Sequence, residues 1–315
     1  MYKSFFGLKA NPFNVNPDPR FLYVTKAIQE ALACLTYGIQ NRKGFVLLTG
    51  EVGTGKTTLI NKLMGWVRAQ RFSTAYIFNS KLTVPEFLDY MMADFGIPCE
   101  TNEKSKVLQR LNHFLLDRYR SGGTAVLIVD EAQNLSPEVL EEIRLLTNLE
   151  TSTEKLLQIV LSGQPELELK MKDPNLRQLR QRITLRCRTQ PLTMEDTSNY
   201  ISLRMRVAGA TGEPAFTPDA VRAIYEYSSG IPRVINLLCE HAMISAFVDQ
   251  TKPVTVEMVD IVAREFELDE LSTRSPMYPS GNGDGSLVDA LKALSNYKDR
   301  VNGMETERAL KERKI

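Results

Sequence analysis

The stretch FVLLTGEVGTGKTTL, residues 45 to 59, limits the fold of this chain more tightly than any other. An apolar run as long as one buried strand passes straight into residues 50–57, which read G-x-x-x-x-G-K-T, and then into residues with helical spacing. In that setting the glycines let successive backbone N–H groups wrap phosphate oxygens, and the helix N-terminus adds the positive end of its dipole. Gly50, Glu51, Val52, Gly53, Thr54, Gly55, Lys56, Thr57 and Thr58 are therefore expected to hold the phosphates of a nucleotide. Lys56 is expected to reach the β- and γ-phosphates, and the Thr57 hydroxyl to ligate Mg²⁺. Kinases, switches, helicases and assembly motors all use such a loop, so the reaction has to be read from residues far from position 50.

The surrounding pattern is α/β. FVLLTG, TAYIFN, TAVLIVD, LLQIVLSG and ITLRCRT read as five short strands, and helical stretches separate them near 56–70, 83–95, 104–120 and 136–149. Continuous apolar strands alternating with helices indicate a parallel five-stranded sheet between helices. Ahead of it, a helix is expected from the N-cap Thr25 to Gln40, with Ile28, Ala31, Leu32, Leu35 and Ile39 on one face. The first 25 residues mix Tyr2, Phe5, Phe6, Phe13 and Phe21 with turn-forming Asn, Pro and Asp, and should lie as an extended arm over a core, NPDP forming a turn.

After Pro191 the strands stop, and four helices with start signals at Thr193, Thr217–Pro218, Pro232 and Thr255 predict a small all-helical domain. The expected division is 1–190 for the α/β domain with its arm and 191–268 for the helical domain. A Ser-, Pro- and Gly-rich linker over 269–286 and an amphipathic helix over 287–315 are expected to follow.

Bulk properties exclude several classes. The formal net charge is +1, so overall charge does not draw the chain to nucleic acid or anionic lipid, and only a local basic patch could do so. Four scattered cysteines and two histidines offer no zinc spacing. No apolar run approaches the roughly 20 residues that cross a bilayer. A cytoplasmic location is the expectation.

Three further groups of residues carry chemistry. AVLIVDEAQ ends a buried strand in Asp130, suited to hold Mg²⁺ through its water shell, and Glu131 beside it is placed to orient and deprotonate a water. LRQLRQRITLRCRTQPL brings Arg177, Arg180, Arg182, Arg186 and Arg188 within twelve residues. That cluster suits an arginine finger for a neighbouring subunit's γ-phosphate, with Arg182 best placed, or a nucleic-acid patch, or a solvated surface. In SSGIPRVIN, Arg233 sits in the first turn of a helix, where its charge opposes the dipole. A nucleotide phosphate would answer it, as would a salt bridge to Asp249 or Glu240.

Taken together, these residues resemble those of the AAA+ ATPases. More narrowly, the chain is similar to the ExeA/GspA-like ATPases of bacterial secretion and exosortase-linked envelope systems. The resemblance rests on MYKSFFGLKANPFNVNPDPRFLY, GEVGTGKTTL, VDEAQNLSPEVLEEIRLLTNLE, LSGQPEL, LRQLRQRI and GIPRVIN, across roughly residues 1–268. It implies ATP and Mg²⁺ as ligands, with residues 50–58 as Walker A and Asp130–Glu131 as Walker B. It further implies Ser162 or Gln164 as sensor 1, where AAA+ proteins usually carry Asn or Thr. Arg182 would be the finger, Arg233 sensor 2, the helical domain a lid, and the arm a cover for the adenine.

A homo-oligomer, as a ring or a nucleotide-dependent assembly, is implied, with membrane-associated secretion or envelope proteins as partners. Fuller secretion members continue into a membrane span and a peptidoglycan-binding domain. The tail after residue 271 reads as neither, so the expected protein is a cytoplasmic ATPase peripheral to the inner membrane. The competing expectation is an ATP-gated DNA-binding regulator of the transposition-ATPase type, supported by the arginine cluster. A small-molecule kinase lacks an acceptor site, and a helicase of the DEAD-box type needs a second strand-rich core.

Overall fold

The computed structural model describes residues 2–14, 16, 18–78, 81–98 and 103–268. The expected linker over 269–286 and helix over 287–315 lie outside the described residues. Five strands, β1 (Phe45–Thr49), β2 (Ser73–Ile77), β3 (Ala125–Val129), β4 (Leu157–Gly163) and β5 (Leu185–Arg188), form one sheet in the order β2-β3-β4-β1-β5. Every pairing is parallel, with Phe45 opposite Ile159 and Val46 opposite Leu185. All five carboxyl ends therefore share one edge, where ligands of open α/β sheets sit.

Period-two alternation assigns the strand residues to two cores. Phe45, Leu47, Leu127 and Val129 face a cluster built with α4 (Val84–Asp94), α5 (Lys104–Arg120), α6 (Pro137–Leu146), α7 (Pro165–Lys170) and α8 (Arg177–Arg182). Val46, Leu48, Val126 and Ile128 face the other cluster, with α2 (Lys26–Gln40) and α3 (Lys56–Ala69). Leu47 and Leu48 are adjacent yet wholly enclosed on opposite faces, each stabilising the fold by roughly 1.5–3 kcal/mol. That double burial is why β1 shows no polar alternation.

The helical region comprises α9 (Met194–Val207), α10 (Pro218–Ser228), α11 (Pro232–Val248) and α12 (Val256–Glu265). Thr193 and Thr217 cap α9 and α10 by accepting from the N–H groups of Asp196 and Ala220. The N-terminal arm differs from the extended segment expected of it. Tyr2–Phe5 is a single helical turn, α1, and Pro19–Phe21 a 3-10 turn capped by Asp18. Its core is the helical one: Tyr2, Leu8, Phe13 and Phe21 pack with residues of α9 to α12. The Lys9 N–H donates to the Ala208 carbonyl at 2.8 Å, and the Tyr2 hydroxyl to Glu240 at 2.7 Å. Aromatic anchors at both ends of the arm explain why turns, not extension, are required: they shorten the path so that each ring reaches the same core. None of the helices among the described residues is long and apolar enough to cross a membrane.

Candidate functional site

The loop after β1 turns back on itself through Gly53 and Gly55, at φ +80° and +94°. Gly53 is required for space as well, since a Cβ there would lie 2.6 Å from Cβ of Arg233. Lys56 is buried at the start of α3, and its ammonium donates to the carbonyls of Gly50 at 2.7 Å and Glu51 at 2.9 Å. Burial pulls its pKa below the usual lysine range, against the pull of the Glu131 and Asp130 carboxylates. Thr54 is held by its hydroxyl, 2.7 Å from both the Glu51 carbonyl and the Thr189 hydroxyl.

Asp130 follows β3, two strands from β1, and is buried. Its Oδ2 accepts from the Thr57 hydroxyl at 3.2 Å and the Tyr76 hydroxyl at 3.4 Å. Burial and then the Asp130 charge push the Tyr76 phenol up to about 12, so it stays a donor. Glu131 takes the left-handed conformation, φ +51°, a strained backbone for a residue with a Cβ. Its Oε2 accepts from two amides, Gln133 Nε2 at 2.5 Å and Gln164 Nε2 at 3.1 Å. The Gln164 N–H in turn donates to Gln133 Oε1 at 3.1 Å, closing a small network. Both amide bonds fall on Oε2, and Oε1 receives neither.

Ser162 and Gln164 are thus separated. Gln164 reaches Glu131, whereas Ser162 is wholly enclosed in β4 with its hydroxyl unpartnered among the described residues. Arg233 lies at the first turn of α11, with its N–H donating to the Gly53 carbonyl at 3.2 Å. No salt bridge joins it to Asp249 or Glu240 among the described residues, and Glu240 instead receives the Tyr2 hydroxyl. Arg182 stands apart from this cavity, exposed at the end of α8, where it donates to Asn148 at 3.2 Å. Arg188 pairs with Glu168 at 2.6 Å, and all five arginines of the cluster are exposed.

These elements enclose a cavity of about 450 Å³. Val52, Gly53, Gly55, Lys56, Thr57 and Thr58 form one wall, with Glu131 beside them. Pro232, Arg233 and Asn236 of α11 face that wall, and Asn14, Asn16 and Asp18 of the arm complete it with Tyr200 and Arg204 of α9. For a metal, Thr57 and Asp130 supply hard oxygen donors 3.2 Å apart. The described residues hold no cluster of three or more metal-ligating side chains. Two protein oxygens suit Mg²⁺, which is commonly held by one or two carboxylates together with substrate phosphates and water.

Several of these residues escaped the sequence reading. Gln133 lies in plain view two residues after Glu131, but nothing in a linear pattern says that its amide turns back. Tyr76 lies inside the TAYIFN strand, where a linear pattern carries no sign of its hydroxyl's partner. Arg204 did leave a signal: it occupies the apolar spacing of α9, with Tyr200, Ile201 and Met205.

Comparison with known proteins adds independent findings. Residues 39–171 match the family model described as an AAA domain. General secretion pathway protein A of Aeromonas hydrophila is 47% identical over 248 residues, covering 78% of this chain and 45% of that protein. The chain thus spans a little under half the length of that relative. Among solved structures, the ORC2 protein of Aeropyrum pernix in ADPNP–ADP complexes superposes with TM-score 0.61 at 16% identity, covering 84% of this chain and 75% of its own. Drosophila ORC bound to DNA gives TM-score 0.65 at 18% identity, covering 84% and 66%. At such identities these two likenesses speak to the fold alone.

Proposed function

Because this chain belongs to the ExeA/GspA-like AAA+ family, we propose that it binds and hydrolyses ATP with Mg²⁺ and uses the cycle to power or regulate assembly of a bacterial envelope secretion or polysaccharide system. The observation that carries the reading is one cavity lined by Lys56, Thr57, Glu131 and Arg233, with Asp130 hydrogen-bonded to Thr57 at its edge. In it the triphosphate lies along the loop backbone, Lys56 leaves its carbonyl partners for the β- and γ-oxygens, and Arg233 faces the same phosphates from α11. Thr57 and Asp130 would hold Mg²⁺, which when bound neutralises charge developing on the phosphate oxygens. Glu131 orients a water and takes its proton on the carboxylate while the new O–P bond forms and the bond to the leaving β-phosphate oxygen breaks. Gln164, in the sensor 1 role, links that carboxylate to β4.

Arg182 has no phosphate within its own subunit to serve and stands exposed, which suits a finger supplied to a neighbour in an oligomer. The identity to General secretion pathway protein A supports the envelope setting, with membrane-associated secretion proteins as partners and the protein peripheral to the inner membrane. The deciding experiment measures ATP turnover against protein concentration, with and without membranes. Specific activity that rises with concentration and again with membranes is expected. Turnover independent of both would set the assembly reading aside, and absence of ATP binding would set aside the whole proposal.

A further inference from the structure

Arg204 is a buried cation that the hydrolysis reading leaves without a task. It is 7% exposed, and the Asp18 and Glu240 carboxylates act on it only through space, neither forming an ion pair with it among the described residues. Its partners are neutral: Nε donates to the Pro12 carbonyl, Nη1 to the Tyr200 hydroxyl at 2.8 Å, and Nη2 to the Asn14 carbonyl at 3.4 Å. The guanidinium lies over the Phe21 ring at 4.8 Å, and the Tyr200 hydroxyl passes the chain on to Asn236 Oδ1 at 2.8 Å. One side chain thereby ties α9 and α11 to the backbone of the arm. Burying a guanidinium is costly, and an apolar residue of similar volume would serve a purely structural joint as well.

Its location shows what the joint serves. Arg204 borders the cavity containing the phosphate loop and a second cavity of about 290 Å³ under the arm. It also borders a narrow slot of about 50 Å³ walled by Leu22, Tyr23, Ile28, Leu192 and Pro232. That slot opens beside Gly55 and Thr58 and is largely apolar, as the flat face of a nucleoside base requires. Of the residues bordering these three spaces, Arg204 is common to all.

We propose that Arg204 is a positioning residue for the nucleoside half of the ligand. By holding the Pro12 and Asn14 carbonyls and the Tyr200–Asn236 pair, it keeps the arm and the apolar slot in register with the phosphate loop. It touches no phosphate itself. The inference rests on the nucleotide reading above, and its test separates the two.

The experiment measures affinity for ATP and for inorganic tripolyphosphate, each with Mg²⁺, in the full chain and in Arg204→Lys, Tyr200→Phe and Lys56→Ala. Arg204→Lys should weaken ATP by about 10-fold or more and leave tripolyphosphate within about twofold, since only charge-assisted bonds to the arm are lost. Tyr200→Phe keeps the ring, is the milder change should the lysine variant fail to fold, and should weaken ATP in the same selective way. Amide exchange over residues 8–14 should slow when ATP binds the parent and not when it binds either variant. Equal loss of both ligands, or no loss of ATP, in a folded variant would overturn the proposal. Lys56→Ala should lose both ligands. If it loses neither, the nucleotide reading fails on its own account, whatever Arg204 does.

Discussion

Lys56 is held by two carbonyls of its own loop, with its charge disfavoured by burial. A triphosphate would replace carbonyl dipoles with full negative charges, so the cation gains most when ligand binds. Lys56→Ala should therefore abolish tight ATP binding, measured by titration calorimetry. The shift also predicts a pH dependence. The ammonium binds phosphate and the neutral amine does not, and burial lowers the pKa of the free protein. ATP affinity should then be level near neutrality and fall as pH rises, beginning below the ordinary lysine range. A fall confined to the ordinary lysine range would show that burial does not act on this group. At Glu131, replacement by Gln keeps size and hydrogen bonding but removes the base. ATP should bind as in the parent and turn over slower by roughly 10²-fold or more. Near-parental turnover would mean that another group positions the water.

At the scale of elements, the turn between α10 and α11 packs against the segment that enters the helical region. Gly230 sits there at φ +75°, and a Cβ would fall 2.0 Å from the Leu192 carbonyl oxygen, a backbone atom with little freedom. That carbonyl belongs to the segment leading from β5 into α9, and the Leu192 N–H donates to the Gly230 carbonyl at 2.8 Å. Gly230→Ala should cost about 2–4 kcal/mol, from left-handed strain plus displaced backbone, seen as a lowered thermal midpoint. A midpoint unchanged within a degree would show that the turn relaxes freely. Elements of this kind were largely legible: Thr25, Thr193 and Thr217 announced their helices and do cap them. The short turns were not. Tyr2–Phe5 and Pro165–Lys170 are too brief to show a helical period, and the surfaces they pack on decide them.

For the whole molecule the question is whether hydrolysis needs a neighbour. Arg182 is exposed and outside its own cavity, so a finger role demands assembly. Arg182→Ala should keep ATP binding, because Lys56 and the loop are intact, while hydrolysis falls by something like 10³-fold. Glu131→Gln carries the arginine but a dead site, and Arg182→Ala the reverse. Mixed together, they should recover part of the activity that neither has alone. No recovery, with mixed oligomers demonstrated by native mass spectrometry, would return Arg182 to a surface role.

What the amino-acid order determined by itself is whatever depends on neighbours along the chain. The strand–loop–helix around Lys56, the acidic pair closing β3, the parallel α/β class and the caps of the helices are local chemistry, visible as composition and period. What only the tertiary structure decided is which distant groups meet. Gln133 and Gln164 are 31 residues apart and share one carboxylate oxygen. The arm belongs to the helical core, and Arg204 reaches across 192 residues to Pro12. Hydrogen bonds of that kind leave no period in a sequence, because their geometry is set by how elements distant along the chain pack into one hydrophobic core.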